Sequence, residues 1–198
     1  MGFFSRASPE EKFWKWFAES SARLLHFEND RDRVFKDLAR ALNRVEAGLT
    51  FEFGPVKDGR REFIVSADGI RDRFPAVQRL VAAAPAMPEW TVIPFRPPKS
   101  LDMTIEFGGH RLGSEDVWFT AEPSEAGTAL TIFLKDLTDS NMQALAGAAF
   151  ILLDAALGEY AVETQVGGIE WKALPPDPPA AGLKPLRAIR EVFDTTVH

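Results

Sequence analysis

Four carboxylates recur at matching places in two alternating stretches. Glu52 and Glu62 stand in TFEFG and REFIVSAD, Glu106 and Asp116 in TIEFG and DVWFTAE. If these stretches pair as neighbouring strands, alternation puts all four on one polar sheet face, because like positions of paired strands lie about 5 Å apart. Carboxylates gathered so closely can hold Mg²⁺ or Ca²⁺, do acid–base work, or receive a basic partner. The opposing reading is a solvated face neutralised by Arg61, Arg96 and Arg111.

Other chemistry finds little support. His26, His110 and His198 are far apart and match no HxH or HExxH spacing, so each reads as an ordinary side chain. The chain has no cysteine, which removes disulfides, thiolate metal sites and cysteine nucleophiles. It contains no GxSxG, no SxxK, no GxxxxGK[ST] and no GxGxxG. Ser66-Ala67-Asp68-Gly69 looks like a motif but reads as a strand ending in turn chemistry. No catalytic residue, cofactor or metal site is assigned.

The elements that would position these residues are readable. Ser8-Pro9 with Glu11 opens a helix to Phe27, with Phe13, Trp16, Phe17, Ser20, Leu24 and Phe27 on one face. Its FWKWF segment suggests a membrane surface, yet the polar face mixes both charges, which favours a core helix. Asn29 or Asp30 caps a second helix ending near Gly48, which buries Val34, Leu38, Ala41, Leu42 and Val45. Residues 49–54 and 61–68 form a hairpin around Asp58-Gly59, and a helix follows over about 72–84. WTVIPF is a strand whose Pro94 suits an edge or an end.

Residues 103–108 and 116–122 are expected to form a second hairpin, with 128–136 pairing onward. Ser140 and Gln143 make a capping-box pattern for a helix to Leu157, and Gly158 stops it. YAVETQV to IEWKAL reads as a last strand bent at Gly167-Gly168. A proline-rich spacer and a short helix over about 185–194 close the chain. Many hairpins and few βαβ units imply an α+β fold, with an antiparallel or mixed sheet of about six to seven strands packed on helices. One domain over 1–172 with a C-terminal extension over 173–198 accounts for the length.

The two hairpin stretches match at a constant offset. Thr50-Phe51-Glu52-Phe53-Gly54 aligns with Thr104-Ile105-Glu106-Phe107-Gly108, Gly59 with Gly113, and 62–68 with 116–122. This is either a duplicated β-hairpin unit or the alternation that any two half-buried hairpins share. Both put Phe51, Phe53, Phe63, Val65, Ile105, Phe107, Val117 and Phe119 toward the core.

On the 140–157 helix, Gln143, Gly147, Asp154 and Gly158 make a narrow polar strip into which Phe150 projects. Gly147 and Phe150 are therefore a candidate interaction patch. The spacer folding back with Leu183 and Leu186 is the expected cover for Phe150, with a second protomer as the alternative, so a homodimer is a candidate assembly.

A composition of 45% hydrophobic residues, with 16 Phe and five Trp, belongs to a chain with a packed core. A net charge of −6 argues against a broad nucleic-acid footprint. The start lacks the pattern of a signal peptide, and the longest apolar run, 144–157, is too short to span a bilayer. No nucleic acid or membrane is expected as a partner, and the expected location is cytoplasmic.

FWKWF, REFIVSADGI, FPAVQRLVAAAP and WTVIPFRP together resemble a family of bacterial conserved proteins of unknown function. The likeness covers roughly residues 9–135, and SADG and FRP are its most specific parts. It implies a bacterial intracellular protein and carries over no activity. The expectation is a non-enzymatic binding or regulatory module for an unknown protein or small molecule. The alternative is a small hydrolase or divalent-metal-assisted enzyme built on the sheet carboxylates. A third reading is a peripheral membrane protein.

Overall fold

Ser8 and Glu11 build the expected capping box: the Glu11 N–H donates to Ser8 Oγ (3.1 Å) and the Ser8 N–H to Glu11 Oε2 (2.8 Å). This box opens α1 (Pro9–Leu25) in the computed structural model, which describes residues 7–193. A short 3₁₀ turn, Phe27–Asp30, leads to α2 (Arg31–Asn43), which buries Val34, Leu38, Ala41 and Leu42. Next come β1 (Thr50–Lys57) and β2 (Arg60–Ser66). Asp58 and Gly59 between them both take positive φ, the turn that matches strand twist. After α3 (Phe74–Ala82) the chain enters β3 (Trp90–Pro94). The sheet order is β1-β2-β3, antiparallel and then parallel, with Pro94 at the end of an edge strand as expected.

Chain contacts gather into two units, Met1–Arg96 and Pro97–His198, whereas the sequence reading drew one domain over 1–172. In the first, Phe17 is fully buried, 4.8 Å from the Phe63 ring and 4.9 Å from Trp90. The helical wheel selected Trp16, but Trp14 is the buried indole. Its Nε1–H donates to the Leu80 carbonyl at 2.7 Å, so a nearby helix satisfies the polar tip. Phe63 and Val65 are buried as expected, while Phe51 and Phe53 are only half-buried. The opposite face is not uniformly solvated, since Ile64 and Ser66 are buried too.

The second unit departs further from expectation. β4 (Thr104–Phe107) does not pair with residues 116–122. It pairs with β5 (His110–Gly113) through a turn at Gly108-Gly109, both at positive φ. A Cβ on Gly108 would lie 2.7 Å from the Ala144 Cβ, so this close approach also needs glycine. β6 (Val117–Ser124) pairs with β7 (Gly127–Leu134) as expected, but not with β4, so the hairpin read as a duplicate of β1–β2 does not form. The strands therefore lie in three small sheets and not in one of six to seven. The α+β class holds.

α4 (Met142–Leu157) starts at Asn141 without the Ser140/Gln143 box. The Asn141 side chain is engaged elsewhere, accepting the Thr138 N–H (2.7 Å) and donating to the Asp136 carbonyl (2.9 Å). Gly158, at φ 80°, ends α4 as expected. Residues 160–165, read as strand, belong instead to α5 (Glu159–Gln165), bent 105° from α4. Ala161 and Val162 are buried, and so short an apolar run carries no decisive period of its own. The helix pair bridges β7 to β8 (Val166–Ala173), which runs parallel to it with a register slip at Gly167. A two-residue strand, β9 (Lys184–Pro185), completes the order β8-β7-β6-β9, and a 3₁₀ segment, Leu186–Glu191, follows.

Leu186, Ile189 and Phe193 pack into the core with α4, Phe119 and Ile132. The described part of the stretch read as an extension thus packs into the second unit. Residue 194 of the expected last helix lies outside the described residues. Each unit contains an antiparallel hairpin, a helical crossover and a parallel third strand. Among the described residues no single helix is long and apolar enough to cross a membrane.

Candidate functional site

The four sheet carboxylates do not share a face. Glu52 on β1 stands across from Ile64, and Glu62 on β2 makes an ion pair with Lys57 at 3.2 Å. Both belong to the first unit's sheet. Glu106, on the β4–β5 hairpin, stands across from Arg111 and pairs with it at 3.3 Å, both side chains exposed. Asp116 closes a 3₁₀ turn, accepting the Gly113 N–H (3.2 Å) and facing Lys135 Nζ (3.5 Å). The assumed pairing of 103–108 with 116–122 is what would have aligned Glu106 with Asp116, and β6 spends its two edges on β7 and β9 instead. Among the described residues no group of three or more His, Asp or Glu is placed to hold a metal ion.

Gly147 and Phe150 fare differently. The Phe107 ring fills the notch over Gly147, where an added Cβ would lie 2.6 Å from the ring. Phe150 stays 41% exposed beside Ile151, and the described part of the tail does not cover it. Of the expected cover, Leu186 packs in the core around α4 and Leu183 is buried as well, so both are committed elsewhere. Of the histidines, His26 ends α1, His110 opens β5, and His198 lies outside the described residues.

SADG and FRP come together at the carboxyl ends of β2 and β3. Ser66 Oγ accepts from the Asp68 N–H (2.9 Å) and from an Arg96 guanidinium N–H (2.8 Å), and Arg96 also reaches Asp68 Oδ1 at 3.4 Å. Asp68 and Phe95 both hold positive φ, a costly backbone for side-chain-bearing residues. The Phe95 N–H donates to the Val65 carbonyl (2.7 Å), and its ring meets Phe74 at 4.4 Å. This is a structural clamp: a buried hydroxyl and a guanidinium hold two strained strand ends. Arg96→Ala is expected to cost about 1–3 kcal/mol by leaving a buried hydroxyl short of a charged donor. Chemical denaturation measures it, and an unchanged midpoint would remove the clamp.

The first unit's cavity lies between α1 and α2. It has a volume of about 280 Å³ and is lined by Pro9, Lys12, Phe13, Trp16, Ala41 and Arg44. Lys12 and Trp16 are one helical turn apart on α1, and Arg44 caps the carboxyl end of α2. Buried Phe13 and Ala41 make an apolar floor and half-buried Trp16 a wall. Among the described residues neither Lys12 nor Arg44 is paired with a carboxylate, although both lie on an acidic chain. The i, i+4 spacing of Lys12 and Trp16 was a visible signal, but the approach of Arg44, 32 residues later, was not.

The second unit has a smaller polar pocket of about 170 Å³, lined by His110, Arg111, Leu112, Asp116, Lys135, Asp136, Asn141 and Leu145. It holds Asp116 alone of the four sheet carboxylates. Compared with protein families, curated proteins and solved structures, the chain matches none.

Proposed function

We propose that the chain is a non-enzymatic binding module whose α1–α2 cleft takes an organic acid with a compact apolar or aromatic body. One observation carries this reading: two cations without carboxylate partners stand at the mouth of a cleft with an apolar floor and an indole wall. Its volume is near the lower end for small-molecule sites. An arginine presents a planar fork that matches a carboxylate in two bonds, and Trp16 offers a face on which a ring stacks. No activated nucleophile is needed for this, since nothing in it is cleaved.

The test titrates phenylacetate and indole-3-acetate, each beside its neutral amide, and follows the Trp16 indole N–H by NMR. The acid is expected to bind about ten- to a hundredfold more tightly than its amide, the difference made by a charge-assisted pair. Arg44→Gln should abolish that preference while leaving the melting temperature unchanged. Equal affinity for acid and amide, or no shift at Trp16, would overturn the proposal.

A further inference from the structure

β8 borders the four-stranded sheet. β7 holds one of its sides, and among the described residues no strand pairs with the other. The Leu174 N–H donates to the Leu134 carbonyl at 2.9 Å. Peptide groups alternate sides along a strand, so Glu170 and Lys172 also turn theirs toward β7. Those of Ile169, Trp171 and Ala173 consequently turn to the open edge. Side chains alternate between faces: Ile169 and Trp171 pack on the α4 core, while Glu170 and Lys172 lie exposed on the other face, 2.9 Å apart.

This edge is complementary to itself in one register. In an antiparallel pair of β8 strands centred on Trp171, Glu170 of each copy stands across from Lys172 of the other. The Trp171 residues form the hydrogen-bonded pair, their peptide groups already turned outward. The two charge pairs take the closer, non-hydrogen-bonded positions. Centring the two-fold on Glu170 or on Lys172 would set like charges opposite each other, which is unfavourable. Both indoles would meet on the core side, extending the apolar layer against α4.

We infer that the β8 edge is a docking surface for a second copy of this chain, paired antiparallel about Trp171. The two four-stranded sheets then join into one of eight. Edge charges also serve to keep strands apart, and that role predicts a different response to charge exchange.

The experiment measures the mass of the full chain by sedimentation velocity at low salt. Wild type is expected to dimerise. E170K and K172E each place like charges across the two-fold, so each should weaken self-association at least about tenfold while remaining folded by circular dichroism. Mixed in equal amounts, the two variants restore both opposite-charge pairs and should form a one-to-one dimer. The double exchange E170K/K172E should dimerise like wild type. A monomeric wild type, single variants that associate like wild type, or a mixture that stays monomeric would each overturn the inference.

Discussion

Deleting residues 175–198 is expected to unfold the second unit. Within this stretch Leu186 and Ile189 are fully buried and Phe193 nearly so, all three in the cluster around α4. Each large buried side chain contributes on the scale of about 2–5 kcal/mol when truncated, so three losses rival the whole stability of a typical domain. Polar anchors go as well. Arg190 donates to the Ala156 and Lys99 carbonyls, each at 2.6 Å, and Arg187 pairs with Asp102 at 2.8 Å. Removing β9 also bares the β6 edge opposite β7. Amide exchange reads the outcome, with protection in β6, β7 and α4 expected to collapse. The single change Ile189→Ala should cost about 2–5 kcal/mol in a chain that still folds. Protected β7 amides in the truncated chain would show the tail to be dispensable.

Phe17→Ala is expected to cost about 3–5 kcal/mol. Phe17 has no exposed surface, and four aromatic rings surround it: Phe13, Trp14, Phe63 and Trp90, with centroids 4.8–5.8 Å away. Those rings come from α1, β2 and β3, so no single element can close over the hole. Phe150→Ala provides the control. Its ring is 41% exposed, and surface changes of that kind usually stay within about 0.5 kcal/mol. Urea midpoints compare the two. If Phe17→Ala melts with wild type, α1 is a detachable arm and its aromatic stripe is no core.

The sheet carboxylates show where legibility ends. Glu52 and Glu106 share a local pattern, alternating residues before a glycine, and that pattern correctly marks both as strand residues. Face assignment then required knowing which strand pairs with which. For Glu52 the neighbour was the next strand, and that pairing is the one formed. For Glu106 the neighbour was five residues away, across Gly108-Gly109, and the longer hairpin inferred from the echo was not formed. The tail misled for a related reason. Proline-rich sequence reports stiffness, and nothing local reports where Leu186 and Ile189 will be buried.

What the sequence by itself determined were features whose causes lie within a turn or two of chain. The Ser8–Glu11 box, the Asp58-Gly59 turn, the Gly158 stop and the apolar stripes of α1 and α2 all follow from hydrogen-bond reach, backbone freedom and helical period. The α+β class follows from their sum. Tertiary structure alone decided the division at Arg96, the pairing of β6 with β9, the helicity of 159–165, and the meeting of Lys12, Trp16 and Arg44. The physical reason is separation along the chain. Strand pairing and cleft formation are settled by which distant apolar surfaces bury each other most fully, a competition no short window of residues records.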